Sequence, residues 1–141
     1  MNNLTEQIIA LRSLKNLGLE SAFFDTLADK ILTEGGLTVN LQGLEPEGKK
    51  YIVSIPNHEY KFTDLSHEGI KQALIKYVYY KQELLQRDGY FIGAWIEGDF
   101  LYLDISEGFS FRYKETAIVG MCKERGQKAF FDFMNKKTIY I

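Results

Sequence analysis

The chain has 141 residues, 45% of them hydrophobic and 26% charged, with a formal net charge of −2. That is enough chain for one compact domain with a real core, and the composition rules against disorder, so a single domain over residues 1–141 is expected. No apolar run approaches the ~18 residues needed to span a membrane. A lone cysteine, Cys122, and a start without the basic-then-apolar layout of a signal peptide point to a cytoplasmic protein that makes no membrane contact.

Ten Phe and nine Tyr exceed what a core of this size needs, so some aromatics are expected at an interface. The charge is uneven. Residues 109–141 carry seven Lys and Arg against three acids, a balance of +4 that leaves −6 for the rest. The basic side is too sparse for a nucleic-acid stripe, and nucleic acid is not expected as a partner.

In chain order, Asn3 followed by Glu6 has the form of a capping box, and Leu4, Ile8, Leu11 and Leu14 or Leu17 follow at helical spacing up to Gly18. A second helix starts between Leu19 and Ser21, carries Phe23, Phe24, Leu27, Ala28, Ile31 and Leu32 on one stripe, and stops at Gly35-Gly36. The short link between them predicts an antiparallel helix pair over 1–36. Residues 37–42 alternate apolar and polar, as a half-buried strand does. Residues 51–55 and 59–62 read as two further strands, joined by Pro56-Asn57, and the three together as a meander.

The longest helix is expected from a cap at Asp64 or Ser66 to Asp88, with Ile70, Ala73, Leu74, Tyr77, Val78, Leu84 and Leu85 on its apolar stripe. It closes the middle part of the chain, 37–88. The last part, 89–141, opens on two strands, Tyr90–Glu97 and Phe100–Ser106, with Gly98-Asp99 as a two-residue turn. That turn sets Glu97 opposite Phe100 and Trp95 opposite Tyr102, and period-two alternation separates two faces. One face, with Tyr90, Ile92, Ala94, Ile96, Leu101, Leu103 and Ile105, is a core face to be covered by the long helix.

The other face mixes aromatics with acid: Phe91, Trp95, Phe100, Tyr102 and Asp104, with Gly93 leaving a notch beside Asp104. A carboxylate among aromatics stays wet, finds a cation, or hydrogen-bonds a ligand. This face is the candidate binding surface, unless another segment such as the first helix pair covers it. After the hairpin, Glu107-Gly108 should break the strand. A helix opening at Tyr113 or Lys114 then buries Ala117, Ile118, Met121 and Cys122, and strands over 128–133 and 138–141 end the chain. The whole reads as α+β with a largely antiparallel sheet.

Catalytic and metal chemistry find little support. His58 and His67 lack ligand spacing, His58 is expected in an exposed turn, Cys122 sits on an apolar stripe, and no glycine pattern matches a phosphate loop or dinucleotide fingerprint. No cofactor, no metal and no catalytic residue are expected. Arg112, Lys123 and Arg125 in the basic tail form a secondary candidate binding patch.

The run from Gly93 to Ser106, with the helix after it and the stretch from Gly126 to Asp132, resembles a small module of uncharacterised phage and mobile-element proteins. The resemblance covers the last third of the chain and implies context only: an accessory protein that occupies a host or defence-system protein, as an anti-CRISPR protein does. A small-molecule or nucleotide binder stacking a base on Trp95 or Tyr102, with Asp104 on a ribose hydroxyl, is the alternative. A hydrolase or transferase using Asp104 and a histidine is the third. Homodimerisation through an exposed terminal strand is also expected.

Overall fold

The computed structural model describes residues 3–141. They form four helices, α1 (Asn3–Lys15), α2 (Ser21–Glu34), α3 (His67–Leu85) and α4 (Glu115–Glu124). They also form seven strands, β1 (Gly36–Val39), β2 (Tyr51–Ser54), β3 (Tyr60–Phe62), β4 (Tyr90–Glu97), β5 (Phe100–Phe109), β6 (Ala129–Asp132) and β7 (Lys137–Tyr140). All pairings are antiparallel, in the order β1-β4-β5-β2-β6-β7, with β3 beside β5. The fold is α+β.

The β4–β5 hairpin is the spine of the sheet. Gly98 adopts a positive φ of 60° at the first turn position, which an L side chain disfavours. The register that follows pairs Glu97 with Phe100, Trp95 with Tyr102 and Gly93 with Asp104, as the two-residue turn requires. Its aliphatic face is core: Ile92, Ala94, Leu101, Leu103 and Ile105 are buried, together with Ile70, Ala73, Leu74, Tyr77 and Val78 of α3. Ser66 caps α3, its hydroxyl accepting from the Gly69 N–H at 3.0 Å, and Asp64 accepts from Ser66 in turn.

Both members of the N-terminal helix pair lie on α3. In α1 the buried positions are Ala10 and Leu14, whereas Leu4 is 66% exposed and Ile8 and Leu17 also face solvent. The stripe through Leu4 and Ile8 is therefore corrected to one through Ala10 and Leu14. The capping box at Asn3 falls at the edge of the described residues; the Glu6 carboxylate accepts from the Tyr80 hydroxyl of α3 at 2.9 Å. In α2 the buried stripe is Phe24, Leu27, Ala28 and Ile31, with Leu32 exposed.

Two expectations about the strands are overturned. β1, β2 and β3 are not a meander: β1 pairs with β4, while β2 and β3 share the other edge of β5 end to end. Glu107-Gly108 does not break the strand. β5 runs on to Phe109, because β2 pairs with residues 106–109 and Glu107 receives the Arg125 guanidinium at 2.6 Å. A second apolar cluster, Tyr51, Val53, Phe109, Ile118, Cys122 and Phe130, seats α4 on the same side of the sheet as α3. Ala117 lies outside it, exposed, since Ile118 and Cys122 already fill the contact.

Candidate functional site: a cleft on the open face of the sheet

With α3 and α4 on one face and α1 and α2 stacked on α3, no described helix covers the other face of the sheet. Alternation from the hairpin places Thr38 of β1, Trp95 of β4, Asp104 and Ser106 of β5, Ser54 of β2 and Thr138 of β7 on that face. Side chains from the first strand in the order to the last line one cleft of about 660 Å³. Its mouth is reached by Glu45, from the loop between β1 and β2, and by Lys136, from the turn between β6 and β7. Glu45 takes the Lys30 ammonium at 2.9 Å, and Lys30 with the more distant Lys136 holds its carboxyl below the usual range.

Trp95 and Asp104 line the cleft, and an aromatic cluster continues from Trp95 along the same face. Trp95 and Tyr102 lie nearly parallel, 12° between planes and 5.4 Å between centroids. Phe100 meets Tyr102 edge to face, and the Lys61 ammonium sits 3.7 Å above the Phe100 ring. Asp104 is only 8% exposed, and its Oδ2 accepts from the Ser54 hydroxyl at 3.0 Å. Asp104 Oδ1 rests over Gly93, so close that a Cβ at that position would collide with it, and the indole edge is 3.9 Å from the same point. Burial raises the Asp104 carboxyl to about 6; Ser54 opposes this and the nearby Glu59 adds to it. Asp104 makes no ion pair with any described residue.

Four of the five sequence-selected residues, Trp95, Phe100, Tyr102 and Asp104, thus share one surface. The fifth, Phe91, is on the same side of the sheet but only 5% exposed, packed over Gly108 beside the Lys49 stem. It is packed into that face instead of presenting a ring to a partner. The secondary candidates lie apart from this surface. Arg112 and Lys123 are exposed, but Arg125 is spent on Glu107 on the α4 side of the sheet, opposite the cleft.

Neither histidine lines the cleft. His67 Nε2 meets Asp29 of α2 at 2.9 Å, at the start of α3 as expected. His58 is half-buried, not in an exposed turn; its carbonyl accepts from the Tyr77 hydroxyl at 2.6 Å and burial lowers its pKa. Cys122 is buried, and burial raises its thiol. Among the described residues no three His, Cys, Asp or Glu side chains converge as metal ligands, and no helix is long and apolar enough to cross a membrane.

Sequence reasoning missed Ser54, Glu59, Glu45 and Lys136, which complete the cleft. The one available signal was the β-rich run through Ser54; its pairing with Ser106 spans more than a third of the chain and has no local signature. Compared with family models, curated proteins and solved structures, the chain has no match in any of the three.

Proposed function

We propose that this is a non-catalytic binding protein, an accessory protein of a phage or mobile element that occupies a surface of a host protein, such as a bacterial defence component in the manner of an anti-CRISPR protein. The cleft is its working surface. The observation that supports the reading is the convergence of a stacked Trp95–Tyr102 pair and a buried, cation-free Asp104 on a face with no described helix over it. Trp and Tyr are the residues that most often dominate interface energy, and they do so from concave, desolvated positions.

The test is co-purification from a bacterial lysate with tagged wild type and with Trp95→Ala/Asp104→Ala. A partner held by the first and lost by a folded double variant is the expected result. A partner held equally by both would move the working surface elsewhere.

A second reading is favoured by the size of the cleft, about 660 Å³, which lies in the range of small-molecule sites. There a base would stack on Trp95 and Asp104 would take a ribose hydroxyl. Mass spectrometry of material extracted from the purified protein tests it. We also propose that copies of the chain pair through β7, the last strand in the sheet order.

A further inference from the structure

The cleft has the chemistry of a cation site, and its buried carboxylate, Asp104, pairs with no cation among the described residues. Taking a carboxylate out of water is costly unless a cation or several donors replace the solvent, and Asp104 has one neutral hydroxyl, from Ser54. Glu59 lines the same cleft and adds negative potential, whereas the charge of Glu45 is met by Lys30. Lys136, which also lines the cleft, lies 3.2 Å over the Phe133 ring, and Lys61 lies over Phe100; neither pairs with Asp104.

Beside that acid stands an aromatic surface with one side vacant. Tyr102 stacks against Trp95 from β5, but the residue paired with Trp95 on β1 is Gly36, which has no side chain to lay over the indole. The glycine is required there, because a Cβ would fall 2.6 Å from the Ala94 carbonyl oxygen. Asp104 fills the space over Gly93, with the indole edge beside it, and both side chains line the cleft, so a ring and a carboxylate are offered side by side to a planar cation in the cleft.

Resting on the binding reading above, we infer that the group this cleft takes is a guanidinium, the side chain of an arginine presented by the partner protein, stacked on Trp95 and donating to Asp104. An arginine suits the site better than a lysine. Its planar fork both stacks on an indole and donates two parallel N–H bonds to a carboxylate, and it sheds water more readily than an ammonium. Trp is also the ring that attracts a cation most strongly.

The experiment uses the full chain, in which Trp95 is the only tryptophan, so its emission reports on the cleft alone. The probes are the blocked peptide acetyl-Gly-Arg-Gly-amide, its citrulline and lysine counterparts, and adenosine monophosphate. Arginine should change Trp95 emission saturably, with citrulline, the uncharged isostere, about tenfold weaker or more because it cannot make charge-assisted bonds. Asp104→Asn should bring arginine down to the citrulline level while keeping the wild-type circular dichroism spectrum. Equal binding of arginine and citrulline by wild type, a comparison that needs no variant to fold, would overturn the inference, as would a folded Asp104→Asn that binds arginine undiminished. Saturation by the nucleotide without arginine would overturn it in favour of the small-molecule reading. If a captured partner still depends on Trp95 and Asp104 while the arginine peptide does not bind, the cleft stands as the binding surface and only the guanidinium falls.

Discussion

Trp95 and Tyr102 face each other across the β4–β5 ladder with their rings 5.4 Å apart and almost parallel, on the side of the sheet away from α3. Both are only half-buried, so the stack supplies rigid, partly solvated area at a low entropic cost. Removing either ring should cost the fold little, and a double-mutant cycle over Trp95→Ala and Tyr102→Ala should return a coupling of about 0.5 to 1.5 kcal/mol in chemical denaturation. A coupling near zero would mean that the rings are neighbours without contact energy.

The residue that follows Tyr102 behaves in the opposite way. Leu103 is fully buried under α3, next in sequence to Tyr102 but on the other side of the sheet. Leu103→Ala should lower stability by about 2 to 5 kcal/mol through lost burial and the cavity left behind. An unchanged melting midpoint would show that the two faces are assigned the wrong way round.

How much of this was readable before the structure divides along sequence separation. The hairpin register, the two faces and the Gly93–Asp104 notch follow from a two-residue turn and period-two alternation, both local, and all are present. The long-range pairings were not readable. β2 and β3 have the composition of meander strands, and only tertiary packing decides that each finds β5 and not the other. For the same reason Asp104 could be picked out as a carboxylate in need of a partner, but Ser54, fifty residues away, could not be named as that partner. In α1 the periodic Leu4 and Ile8 outscored Ala10, though the small residue is the one that allows close approach to α3.

Asp104 also makes a pH prediction. Its folded pKa is raised from 3.8 to about 6 by burial, so between those values the folded chain binds more protons than the unfolded one. Stability from this group is therefore greatest at low pH and is lost as pH rises through about 6; the displacement corresponds to roughly 3 kcal/mol at most. Asp132 and Glu45, whose carboxyls lie below the usual range, push the total the other way, so the comparison is with Asp104→Asn at each pH. The variant should be the more stable protein at pH 7.5 and lose that advantage by pH 4, as read by thermal unfolding. A constant difference across the range would mean that Asp104 titrates normally.

Gly93→Ala tests the notch. The new Cβ would run into Asp104 Oδ1, which is already fixed by Ser54 through the other oxygen, so the carboxylate must shift. Overpacking of this kind costs about 1 to 3 kcal/mol. The same substitution in an Asp104→Ala background has nothing to strike and should cost much less, a non-additivity that denaturant midpoints would detect. Equal costs in the two backgrounds would place the strain in the backbone at Gly93 instead.

The last prediction concerns the sheet edge. Ile141 donates its N–H inward to the Lys128 carbonyl at 3.0 Å, and alternation along β7 then turns the N–H groups of Thr138 and Tyr140 outward, where no described strand receives them. Tyr140 is 80% exposed and Ile141 also faces solvent, so the edge combines free backbone groups with apolar side chains, and Lys136 and Lys137 guard only one end. Two copies pairing here antiparallel around a twofold axis would satisfy those groups and bury Tyr140. Light scattering should then give a dimer mass at high micromolar concentration. Thr138→Pro, which removes an outward N–H without touching the β6 ladder, should give the monomer with the fold unchanged. A monomer mass for wild type under the same conditions would dispose of the dimer, and a dimer that survives Thr138→Pro would move its interface to another edge, with β1 and its partner-free side the next to examine.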